Sequence, residues 1–146
     1  MDVTRISTPI RRAWESITEP RHLKVFYFGV YALTLAIGLV TLAQPPQSIE
    51  GPLGPILAAL WAGMLTAGGL GGALAVLPGW WWAERLSVLL AMGGTYIYAG
   101  IAVYLHVTGP PGSQRLTQAL TIILATTVFW LRLLLTRRWD YEPRRR

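Results

Sequence analysis

Four long apolar stretches govern what this chain can fold into. They occupy 25–43, 53–77, 86–107 and 116–135. Crossing the hydrocarbon of a bilayer takes about 20 apolar residues as helix. The second stretch reaches roughly 38 Å at helical rise, so it tilts or projects beyond the hydrocarbon. None of the four alternates like a barrel strand, so each closes its backbone hydrogen bonds internally as a helix. Gln44-Pro45-Pro46, Pro78-Gly79 and Gly109-Pro110-Pro111-Gly112 separate them. A soluble bundle would need a polar face on every helix, and these stretches have none. Only 14% of the chain is charged, against roughly 25% in soluble domains, and the deficit falls within the stretches. The first stretch is too long, and too far from the start, to read as the apolar core of a signal peptide. The absence of cysteine excludes disulfides and thiolate metal sites.

The predicted class is therefore all-α: an integral membrane four-helix bundle, preceded by a short N-terminal interfacial amphipathic helix, with both termini cytoplasmic. Three parts follow: a cytoplasmic or interfacial segment 1–23, a transmembrane domain 24–136, and a basic cytoplasmic tail 137–146. Orientation rests on the distribution of charge. Arg5, Arg11, Arg12, Arg21 and Lys24 precede the first span, and Arg137, Arg138, Arg144, Arg145 and Arg146 follow the fourth. Of Lys and Arg, the two outer loops hold only Arg115. Lys and Arg collect on the cytoplasmic side, which places the ends there. Trp80, Trp81 and Trp82, with Trp130, Trp139 and Tyr141, match an aromatic belt at the same interface. The net charge of +6 then implies attraction to anionic headgroups, about 1 kcal/mol per basic residue near the surface. A nucleic-acid partner is not expected, because no nucleic-acid-binding fold remains once the spans are removed.

Residues 7–19 read as the interfacial helix. Thr8 suits the cap, Pro9 the first helical position, and Pro20 the stop. Ile10, Ala13, Trp14 and Ile17 share one face, so Trp14 inserts among the headgroups. A solvated tail is the alternative for this segment.

The second span carries Ala59, Gly63, Ala67, Gly71 and Ala75 at four-residue intervals, with Gly68 and Gly72 on a neighbouring face. Small residues at this spacing let helix backbones approach closely. Two bare faces imply two packing partners, one within the chain and one in a second subunit, which points to a homo-oligomer. Gly93, Gly94 and Gly100 in the third span offer a matching internal surface.

Chemistry inside the spans is sparse. Arg132 is the one Asp, Glu, Lys or Arg within them, and it either snorkels to the interface or pairs with Glu84. With no carboxylate deep in a span, proton-coupled transport is disfavoured. Ser87, Thr95, Tyr98 and His106 form a thin polar stripe on the third span, and Thr117, Gln118 and Thr121 begin another on the fourth. Such stripes either line an aqueous path or join helices by hydrogen bonds. No nucleophile with its base, phosphate loop, cofactor-binding pattern or metal-ligand spacing appears, so an enzyme is not expected.

The segments Trp14-Glu15-Ser16-Ile17-Thr18-Glu19-Pro20-Arg21-His22-Leu23 and Leu77-Pro78-Gly79-Trp80-Trp81-Trp82-Ala83-Glu84-Arg85-Leu86 are distinctive. So are Arg115-Leu116-Thr117-Gln118 and Asp140-Tyr141-Glu142-Pro143-Arg144. With these segments the chain resembles a group of small four-span, holin-like membrane proteins from phages of actinobacteria. The resemblance implies a multi-pass protein of the host cytoplasmic membrane acting in lysis, with another phage lysis protein as a further partner. Holins gather in the membrane and open lesions that release or activate endolysins. The alternative is a structural or regulatory membrane protein that opens no hole: a partner scaffold, a holin modulator or a superinfection-exclusion factor.

Overall fold

The computed structural model describes residues 21–45, 47–109 and 115–138. These form four helices: α1 (Arg21–Ala43), α2 (Gln47–Val76), α3 (Trp81–Thr108) and α4 (Arg115–Arg138). All four are long and apolar enough to cross a membrane, over His22–Ala43, Gly54–Val76, Trp81–Thr108 and Arg115–Thr136. The chain is a multi-pass membrane protein in architecture. The interfacial helix expected at 7–19 and the tail after Arg138 lie outside the described residues.

The helix limits differ from the sequence expectation in two instructive places. α2 is 30 residues long, but Gly54 interrupts it at φ 74° and ψ 164°. Pro55 follows, and a residue before proline is pushed away from helical geometry. Glycine accepts the resulting positive φ without a Cβ penalty. Only the 23 residues from Gly54 onward are apolar enough to span. α3 starts at Trp81, not near Leu86, which brings Glu84 into the helix. The α2–α3 turn is closed by Gly79 at φ 81°. The amides of Gly79 and Trp80 both donate to the Ala75 carbonyl at 3.0 Å, the left-handed cap that ends many helices.

Sequence neighbours pack together, α1 on α2, α2 on α3 and α3 on α4. The small residues determine how close they come. On the α1–α2 seam, Gly38 faces Thr66, Gly69 faces the Leu35 backbone, and Gly72 lies against the Tyr31 ring. On the α2–α3 seam, a Cβ added to Gly68 would sit 2.8 Å from the Ala91 nitrogen, and Gly94 takes the Leu65 side chain. At these positions a methyl group would force the helices apart.

Two apolar clusters result. One joins all four helices at the end where α1 begins, through Tyr27, Tyr31, Val76, Val88, Phe129 and Leu133. The other, toward the opposite end, holds Ala58, Trp61, Ala62 and Leu65 of α2 against Tyr98 and Ile101 of α3. Leucines such as Leu33, Leu74 and Leu124 point outward and are well exposed, as lipid-facing positions require.

Candidate functional site

At the end where α1 begins, α1, α3 and α4 bring their polar side chains together. Glu84 of α3 is 1% exposed. Arg132 of α4 donates to it twice, Nε to Oε1 at 2.5 Å and Nη2 to Oε2 at 2.8 Å. This two-pronged geometry is the strongest that arginine and carboxylate adopt. Tyr31 of α1 adds a hydroxyl bond to Oε1 at 3.2 Å. The Arg132 guanidinium also lies 4.8 Å from the centre of the Tyr27 ring, within cation–π range. Tyr27 in turn donates to the Val128 carbonyl at 3.3 Å. Lys24, one turn before Tyr27, is buried and within Coulombic reach of Glu84 and Arg132. Nearby on α3, buried Ser87 satisfies its hydroxyl on the Ala83 carbonyl of its own helix and lies beneath Gly71 of α2.

The local sequence explains the placement. Lys24, Tyr27 and Tyr31 follow a three- and four-residue spacing, so they share one face of α1. Glu84 sits one turn into α3, where a carboxylate also complements the helix dipole. Arg132 lies one turn before the end of the apolar part of α4. Sequence reasoning named the Glu84 and Arg132 pair but not its companions. The signal for Tyr27 and Tyr31 was their polar spacing with Lys24 on an otherwise apolar helix. Both carboxylate oxygens are engaged, so the cluster ties α1, α3 and α4 together. Among the described residues, no group of three or more His, Cys, Asp or Glu is placed to hold a metal ion.

The small-residue positions of α2 divide in two. Gly68, Gly71, Gly72 and Ala75 face inward against α1 and α3. Ala59 and Ala67 are exposed, Gly63 is half-buried, and a Cβ on Gly63 would meet nothing within 4 Å. Both neighbours of the glycine-rich half therefore belong to this chain, and only the Ala59–Gly63–Ala67 half is open. Trp80, Trp81 and Trp82 are exposed at the start of α3, at the same end as the polar cluster. Trp14 and Trp139 lie outside the described residues.

The expected polar stripes on α3 and α4 meet in part. Gln118 donates to the Tyr98 hydroxyl at 2.5 Å, while Thr95 and Thr121 satisfy their hydroxyls on carbonyls of their own helices. Trp61 crosses the α2–α3 seam to donate to the Gly94 carbonyl at 2.7 Å.

Beyond the polar cluster, α1 and α4 diverge. The space between them is an apolar cleft of about 360 Å³, walled by Leu33 and Ile37 on one side and Ile122 and Ala125 on the other. Trp61 and Leu65 form part of its floor. Comparison with protein-family models, curated proteins and solved structures gave no match.

Proposed function

We propose that this chain is a holin-like phage protein that self-associates in the host cytoplasmic membrane and permeabilises it during lysis. The observation that carries the reading is the open stripe Ala59–Gly63–Ala67 on the outer face of α2. Within lipid, association between helices is driven by close backbone packing, for which such a stripe is suited. Basic ends bind anionic headgroups on the cytoplasmic side, and another phage lysis protein is a further partner. Function in this view comes from assembly, since the ionic groups of the bundle are committed to holding it together.

Gly63→Leu tests this with little risk to the fold, because the added side chain points into open space. Cross-linked oligomers and lysis of induced cells are both expected to disappear, with helical content unchanged. Unaltered lysis timing in a correctly folded variant counts against the proposal. Gly71→Leu is a poorer probe, since it collides with Ser87 inside the bundle.

The polar cluster favours a second reading, a structural or regulatory protein that opens no hole. Ties among α1, α3 and α4 suit a unit that stays closed. A membrane-potential dye separates the two: rapid depolarisation on induction belongs to the hole-former, continued growth to the scaffold.

A further inference from the structure

The cleft between α1 and α4 lies at mid-depth. Leu33, Leu65, Thr95 and Ala125 line it, and each lies at or next to the midpoint of its candidate span. It opens sideways, since Leu33 at its mouth is 68% exposed and Ile37 is 55% exposed. Whatever fills it comes from the interior of the bilayer.

We propose that the cleft is a binding site for one acyl chain of a membrane phospholipid. Water is a poor occupant, because it needs two to four polar partners in a cavity. The few polar groups here are already committed. Thr34 donates to the Val30 carbonyl, Thr95 to carbonyls of its own helix, and Tyr98 accepts from Gln118. A helix of a second copy would meet little of it: the cleft runs only about 10 Å along α1 from Val30 to Ile37, about two turns at helical rise and well short of the length of a span. A hydrocarbon chain is thin enough, is apolar throughout, and is present at this depth in every bilayer.

The direction of entry follows from the ties. Contacts between α1 and α4 gather at the polar end: Tyr27 with Val128, Tyr31 with Phe129, and Arg132 with the Tyr27 ring. The chain therefore reaches the cleft from the leaflet at the opposite end, passing Trp61 and ending toward Val30 and Phe129. This site is separate from the Ala59–Gly63–Ala67 stripe and does not depend on the holin-like reading.

Trp61 supplies the test. It lines the cleft yet is only 3% exposed, so a brominated lipid quenches it only from within. A chain retaining Trp61 alone, with the other six of its seven tryptophans changed to Phe, is reconstituted in phosphatidylcholine vesicles. Bromine in the distal third of the chain, the part that passes Trp61, should at least halve its fluorescence, while bromine near the headgroup has little effect. Adding Ala125→Phe, which fills the cleft from its exposed wall, should restore most of the signal. Equal fluorescence in brominated and ordinary vesicles overturns the proposal, as does quenching that Ala125→Phe leaves unchanged. Should the multiply substituted chain misfold, the wild-type protein is photolabelled with phosphatidylcholine bearing a carbene precursor at the chain end. Adducts on Thr34, Leu65 or Thr95 support the site; adducts confined to outward residues such as Leu39 and Leu124 overturn it. Disulfide-linked dimers of Ala125→Cys would place a second copy at the cleft and also overturn it.

Discussion

Glu84→Gln removes a carboxylate and leaves its cation in place, which makes it the most demanding perturbation of the polar cluster. The two side chains are 2% and 8% exposed, Glu84 and Arg132 respectively, so water compensates little. Breaking a buried pair from one side costs about 3–5 kcal/mol, because the surviving charge has no counterion. Two groups soften the loss here. The Tyr27 ring still faces the guanidinium, an interaction of up to about 2 kcal/mol when desolvated. The glutamine carbonyl still accepts one bond. The expected destabilisation is therefore about 3 kcal/mol, at the lower end of the range. In Glu84→Gln with Arg132→Gln, no charge remains to be stranded, and the two amides can bond to each other. That double variant should lose only about 1–2 kcal/mol, the scale of one or two neutral hydrogen bonds. The assay is reversible unfolding in mixed micelles of dodecyl maltoside and sodium dodecyl sulfate, followed by far-ultraviolet dichroism. The reasoning fails if Glu84→Gln costs less than about 1 kcal/mol, or if the double variant equals the sum of both singles, as uncoupled sites would.

Two further outcomes are expected on the same assay. Gly69→Ala should destabilise by about 1–3 kcal/mol, the usual penalty of overpacking, because its methyl group meets the Leu35 backbone. Gly63→Ala, on the open half of the same helix, should be neutral or stabilising by up to about 1 kcal/mol through helix propensity. Equal effects at the two positions would contradict the assignment of inner and outer faces. Tyr31→Phe removes a hydroxyl bond to a carboxylate and should cost about 1.5 kcal/mol; a neutral result would mean that Arg132 alone satisfies Glu84.

Hydropathy reveals the four helices because lipid imposes a simple requirement, length without charge. It misplaces the start of α3 for the same reason. Glu84 and Arg85 look like turn residues to a scale that treats every charge as exposed, yet Glu84 is buried because Arg132 reaches it from 48 positions away. The pairing could be suggested from the two span ends; the spacing of Lys24, Tyr27 and Tyr31 marks a shared face of α1, but that this face meets Glu84 and Arg132 depends on how α1 rotates against α3 and α4. The glycines of α2 announce close packing in sequence. Which half packs within the chain depends on the positions of Leu35, Tyr31, Ser87 and Ala91, which no repeat in α2 itself encodes. The cleft has no sequence signature: it arises where α1 and α4 part, between lipid-facing residues such as Leu33 and Ile37 and buried ones such as Trp61 and Leu65.

The pairing of Glu84 with Arg132 also sets an order of events during synthesis. Translation runs from the N-terminus, so α3 emerges with its carboxylate well before the partnering guanidinium exists. Until α4 follows almost to its end, Glu84 has only the hydroxyl of Tyr31 and the charge of Lys24 to moderate it. The third helix is thus incompletely neutralised when first made, and the last helix completes it. A nascent chain stopped before Arg132 lacks the group that bonds both carboxylate oxygens of Glu84.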